Sequence, residues 1–308
     1  MKELKKSVGY VFVFLSVLSN AAKGFCSKKI SNGVGSAAAA IDMNILRVLI
    51  CCLISAGIAA KGILQNGFSA SIAEVSVIAL SGISMALFLV VWTFAIKSGA
   101  YMYVSASASA SFIVPSLAGL IVFHERFTLF KLIAFSTVFA ALYFMFRYNL
   151  RLNGKPKRKD IVLPTIVLLA QGVNQTMQKL YAVSFPQKSA SEYALYSFVS
   201  TAFFLIAARL TVGFFPSAER KQDKSMRSAF WKNNLIFVVI MALCLYSASF
   251  FQTLAAKNLD AIVLYPLTNA LSLVFGSFMA SVFFGEKIKK ECLCGMLFVF
   301  IALVLSNL

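Results

Sequence analysis

The sequence predicts an all-α membrane protein with ten transmembrane helices in two inverted five-helix repeats. Three observations predict it. Of 308 residues, 60% are apolar and only 13% charged, with a mean hydropathy of +0.83, so much of the surface must face lipid rather than water. Ten segments approach the about 20 apolar residues that a helix needs to cross roughly 30 Å of hydrocarbon. Related motifs also recur in the same order in both halves of the chain.

Five expected spans are free of charge throughout: Val75–Ile96, Ser98–Phe123, Ile161–Gln178, Asn233–Ala256 and Ala261–Gly285. The other five include or abut a single charge. They are Ser7–Ser27 with Lys23, Met43–Ala60 with Arg47, Phe127–Phe146 with Lys131, Tyr193–Thr211 with Arg209, and Cys292–Leu308. Lys2, Lys5 and Lys6 precede the first apolar run as they would in a signal peptide. No convincing small-x-small cleavage site ends that run and nine further expected spans follow, so a retained first helix is expected.

The net charge of +18 invites a nucleic-acid reading, but the placement of the cations argues against one. Six basic residues lie in Arg147–Lys159 and five in Arg220–Lys232, both between apolar runs. That is a juxtamembrane pattern, and the expected partner is a bilayer with anionic head groups, not nucleic acid. The six cysteines all lie in apolar segments without a CxxC pair, so they are expected to be buried small side chains rather than metal ligands. No metal or cofactor is expected.

The repeat is clearest in VFHERFTLFKLIA from Val122 against FFGEKIKKECLCG from Phe283. Glu125 falls on Glu286 at an offset of 161, with Ala134 on Gly295 nine residues further on. TFAIKSGA from Thr93 matches TLAAKNLD from Thr253 at an offset of 160, which places Lys97 on Lys257. NAAKGFC from Asn20 matches TMQKLYA from Thr176 more loosely at 156, which places Lys23 on Lys179. Five helices per half is an odd number, so the second half must enter the membrane in the opposite direction. Inverted repeats of this kind give many secondary transporters two interchangeable conformations around a midplane site. The expected halves are residues 1–146 and 161–308, joined by a basic linker at 147–160 that contains Gly154 and Pro156.

The stretch from Leu264 to Leu303, with Pro266 early in its helix, Gly285-Glu286 in the turn and Gly295 opening the next helix, resembles the end of an EamA-type member of the drug/metabolite transporter superfamily. The first-half copy is weaker, with Ser105, His124-Glu125 and Ala134 at those places and Pro115 ten residues deeper in its helix than Pro266 is in its own. The resemblance implies a ten-helix basket in which four helices of each half surround a cavity and the fifth is a buttress. It also implies a transported small molecule, which across the family ranges from amino acids and other metabolites to sugar-linked nucleotides and drugs.

Polar side chains within a span cost several kcal/mol unless partnered, so they are the candidates for a site. Gln171, Asn174, Gln175 and Gln178 share one face of the sixth helix, with Lys179 at its end; Asn20 and Lys23 form a smaller face on the first. Such amides donate and accept, which suits a zwitterionic or polyhydroxylated solute, although they also commonly tie helices together. Lys23 and Lys179 can either bind a ligand or snorkel to the interface. Trp92, Tyr103, Gln252, Tyr265 and Asn269 complete the expected substrate-binding set, with interface anchoring the alternative for Tyr103 and Tyr265. Pro115 and Pro266 are the expected gating positions, since each removes a backbone hydrogen bond. Glu125 and Glu286 are expected to cap the helices that follow them and to pair with Arg126 and Lys287.

The expected function is secondary transport of a small polar metabolite by alternating access, in a bacterial cell membrane. Flipping of a phosphate-bearing lipid-linked precursor and export of a drug or quaternary amine are the alternatives. An enzyme is not expected, because one histidine and no assembled nucleophile, P-loop or paired mid-span carboxylates leave no catalytic set. Sidedness has two readings. Of 29 Lys and Arg, eight lie on the side of the termini and seventeen on the other, which places the termini outside; the resemblance implies cytoplasmic termini.

Overall fold

A backbone that crosses hydrocarbon must satisfy its polar groups internally, and here it does so by helices alone. The computed structural model describes residues 2–31, 33–66, 71–98, 101–123, 128–153, 158–214 and 224–306, and every regular element among them is helical. In order these are α1 (Lys2–Ser31), α2 (Ala37–Asn66), α3 (Ile72–Ser98), α4 (Tyr101–Ser109), a 3-10 turn (Ala110–Phe112) that continues into α5 (Ile113–Ile121), and α6 (Leu129–Asn153). They are followed by α7 (Lys159–Ser184), α8 (Ala190–Phe214), α9 (Lys224–Asn258), α10 (Ala261–Phe284) and α11 (Lys290–Ser306). His124, Glu125, Arg126, Gly154 and Pro156 lie outside the described residues.

Among the described residues, eight segments are long and apolar enough to cross a membrane: those in α1, α2, α3, α6, α8, α9 and α10, and the rod of α4 and α5. The protein is therefore an integral membrane protein. The other two expected spans fall short for different reasons. α11 has 17 residues, fewer than about 20. α7 has 26, but Asp160, four amides and Lys179 dilute its apolar character. α6 runs on to Asn153, so much of the expected basic linker is helical.

The principal neighbours of α1 are α9 and α10, while α7 packs against α3 and against α4 and α5. α2 lies along α8 and α9, α3 along α8, and α4 against α10. α6 and α11 pack on each other and otherwise touch α4 and α10. Their outer faces carry exposed Leu129, Phe139, Leu297 and Phe300, as lipid-facing helices should. Small side chains let the interior helices close up: a Cβ at Gly82 of α3 would collide with Ser200 of α8, and the Ser/Ala run of α4 is buried on nearly every side.

Pro115 explains the 3-10 turn. A prolyl ring clashes with the carbonyl four residues earlier, and the helix tightens over Ala110–Phe112 just before resuming around the proline. Pro266 sits inside α10, and Pro164, which sequence reasoning did not single out, inside α7. α10 ends on Gly285 in the left-handed region, φ 64°, a conformation glycine adopts without strain. That turn aims Glu286 away from the following helix. Its carboxylate accepts from the backbone N–H groups of Tyr101 (2.9 Å) and Met102 (3.2 Å), so it caps α4 rather than α11 and corrects the sequence expectation.

Candidate functional site

A narrow cavity of about 70 Å³, mostly apolar in its walls but with several polar side chains, opens between α1, α3, α4, α7 and α10. Five of the sequence-predicted residues line it: Asn20, Lys23, Trp92, Gln171 and Asn269. Lys23 donates to Asn20 Oδ1 at 2.7 Å and lies 6.0 Å from the centre of the Phe88 ring. Trp92 is held by its indole N–H to Ser27 Oγ (3.1 Å) and packs on Phe88 and, edge-on, on Tyr101. Tyr101 closes against α1 only because residue 24 is glycine; a Cβ there would strike its hydroxyl. The result is one aromatic wall facing ammonium and amide groups.

The remaining amides of α7 do not line this cavity, since each meets a different neighbouring helix. Gln175 donates to Asn269 Oδ1 (2.9 Å) and accepts from Ser111 Oγ (3.2 Å), while Asn269 donates back to Ser111 Oγ (3.2 Å), closing a ring across α7, the 3-10 turn and α10. Tyr265 donates to the carbonyl of Gln175 at 2.7 Å. Asn174 accepts from Ser81 Oγ (3.0 Å), which also bonds Tyr193 and Ser197. Gln178 donates to Thr253 Oγ1 (2.8 Å) and the Ser249 carbonyl (3.0 Å). Lys179 neither snorkels nor lines the cavity: at 5% exposure it donates to the carbonyls of Ala256 (3.0 Å) and Leu259 (2.7 Å) at the end of α9.

Tyr103 also lies elsewhere. Its hydroxyl donates to the carbonyl of Asp160 at 3.0 Å, and its ring lines a separate groove of about 270 Å³ with Leu142, Phe146 and Pro164. Gln252 is buried in α9, and its Nε2 has no hydrogen-bond partner among the described residues. Glu74, buried in the first turn of α3, is engaged by the Tyr181 hydroxyl (2.9 Å) and by Lys188 at 4.0 Å.

Arg47, the single charge of the expected span Met43–Ala60, is not among the expected site residues. It stands near the middle of the span Ala37–Ala60, is 2% exposed, and its Nε has no partner among the described residues. An arginine at such a depth costs about 3 kcal/mol on insertion scales. The signal was present in the sequence as one cation inside an otherwise apolar run.

No family model matches this chain, and no curated protein matches it by sequence. A solved crystal structure is similar in fold over 98% of this chain and 96% of its own, with a TM-score of 0.62 at 13% sequence identity. The likeness spans the whole chain and concerns the fold alone.

Proposed function

We propose that this chain is an EamA-type secondary transporter, with ten spans in two inverted repeats, that moves a small polar metabolite such as an amino acid or a similar zwitterionic or polyhydroxylated solute. The observation that carries the reading is the central cavity, where ammonium, amide and aromatic groups from five helices converge inside an apolar membrane protein. The packing supports the repeat. When each helix is exchanged for the one five spans later, α1 on α9 becomes α7 on α3, α1 on α10 becomes α7 on α4 and α5, and α2 on α9 becomes α8 on α3. The pairs α2 with α8, α4 with α10 and α6 with α11 map onto themselves.

Alternating access fits the cavity's size. Pockets that enclose whole metabolites measure roughly 300 Å³ or more, so about 70 Å³ corresponds to a contracted state that must widen to load. The 3-10 turn before Pro115 and the interruptions at Pro164 and Pro266 are where α5, α7 and α10 can bend. Interior cations weigh against a quaternary-amine solute, since like charges repel in a medium of low dielectric.

Flux of radiolabelled amino acids and polyols into proteoliposomes tests the proposal. For a solute that is carried, Gln171→Ala and Asn269→Ala are each expected to lower uptake at limiting concentration by about tenfold, the worth of one good hydrogen bond. If both variants carry it at the wild-type rate, the cavity is not the route.

A further inference from the structure

We propose that Arg47 and Lys23 together hold the oxyanion of the transported solute, a carboxylate or phosphate group; this rests on the transport reading and narrows its substrate class. The first support is the placement of Arg47. Ala40, Asn44, Arg47, Cys51 and Ser55 follow one another at three- and four-residue spacing, so they share a face of α2, and all are buried. Asn44 donates to the Leu89 carbonyl of α3 and Cys51 to the Ala242 carbonyl of α9. The guanidinium between them is therefore held on the interior face of α2, not on a lipid-facing one.

The second support is that its charge is unanswered. The ion pairs among the described residues are Arg151 with Glu291, Lys188 with Glu74 and Arg209 with Asp42, and none includes Arg47 or Lys23. Asp42 is nearest in sequence, but five residues along a helix turn it about 140° away. Lys23 lies 6.0 Å from the centre of the Phe88 ring, and Asn44, three residues before Arg47 on the same face of α2, donates to the carbonyl of the adjacent Leu89, so both cations stand against one stretch of α3. Lys23 lines the cavity, whereas Arg47 is buried outside the residues that line it, so holding one anion between them needs the widened state.

The third support is the set of idle groups around them. Arg47 Nε, Asn44 Oδ1 and the Tyr246 hydroxyl, beside Cys51 on α9, are buried without hydrogen-bond partners among the described residues. A side-chain turn that paired Arg47 with Asn44 would satisfy two atoms and leave both positive charges. An oxyanion supplies the countercharge and the acceptors together, and guanidinium binds carboxylate and phosphate through paired N–H groups. The enclosure of Arg47 within the bundle points to a soluble solute as the source.

The test uses the purified full chain in neutral detergent and follows thermal unfolding in sodium phosphate, sodium acetate and sodium chloride at equal ionic strength, and with dioctanoyl phosphatidic acid. Phosphate or acetate is expected to raise Tm by several degrees above chloride, and Arg47→Gln and Lys23→Gln should each abolish the rise. Without ligand, Arg47→Gln is expected to melt at or above the wild type, because a buried unpaired charge is removed. The proposal is overturned if neither soluble anion exceeds chloride, if the rise survives in Arg47→Gln, if that variant melts lower or fails to fold, or if only phosphatidic acid stabilises. Flux separates the two readings. Solute uptake without an anion-dependent rise retains transport and removes the anion site; an Arg47-dependent rise in a chain that carries nothing retains the site and removes transport.

Discussion

Replacing Glu286 by alanine is expected to destabilise the protein by about 3 kcal/mol, the largest effect of any change outside the interior. One carboxylate serves two backbone donors, Tyr101 N–H at 2.9 Å and Met102 N–H at 3.2 Å, at the positive end of α4. Water cannot readily replace it, because both residues are buried. Loss of the cap frees the first turn of α4, and with it Tyr101, which forms part of the cavity wall. Thermal unfolding in detergent should show Tm lower by roughly 5 °C or more. Glu286→Gln should lose about half as much, since its single carbonyl oxygen can serve one donor well. Glu291→Ala, which removes a pair with the exposed Arg151, is expected to cost less than about 1 kcal/mol. Equal losses for Glu286→Ala and Glu291→Ala would refute the capping role.

The membrane class was legible because lipid solvation acts on every residue of a span, so composition alone reports it. Partnerships were less legible. The four amides of α7 share a face in sequence, yet α3, α9, α10 and the cavity divide that face among them, and spacing along one helix carries no record of which neighbour lies where. Gln171 reaches the cavity; Asn174, Gln175 and Gln178 bond across to other helices. The match of Lys23 with Lys179 drew on a loose similarity in residue type. The role of Lys179, donating to carbonyls at the end of α9, is performed at the end of α3 by Lys28, which donates to the Ile96 carbonyl at 2.8 Å. Lys23 is thereby left for the cavity. Lys97 and Lys257, matched more closely, do act alike: Lys97 donates to the carbonyl of Val34 in the turn after α1, and Lys257 to those of Pro186 and Lys188 after α7. Arg47 stayed outside the expected site because a span tolerates one charge in a hydropathy count, and the count does not ask whether an acid is near.

Gly172 is where packing and proposed function meet most directly, and Gly172→Val is expected to disable both. A Cβ at this position would lie 2.6 Å from Val114 and 2.9 Å from the Ser111 carbonyl oxygen. The carbonyl belongs to the 3-10 turn and cannot swing aside as a flexible side chain would. α7 must therefore move away from α5, at a cost of about 3 kcal/mol in line with overpacked cores. The shift breaks contacts in both directions. Ser111 leaves the ring it forms with Gln175 and Asn269, and Gln171, next to the substitution, is displaced from the cavity. Lower Tm and loss of solute uptake should therefore appear together, even in protein that still folds at low temperature. Gly57→Ala makes the contrast. Nothing lies within 4 Å of its Cβ, so the helix gains roughly 0.5–1 kcal/mol of propensity without a clash, and uptake should be unchanged. If Gly172→Val retained wild-type Tm and uptake, α7 and α5 could not be packed this closely in the protein that transports.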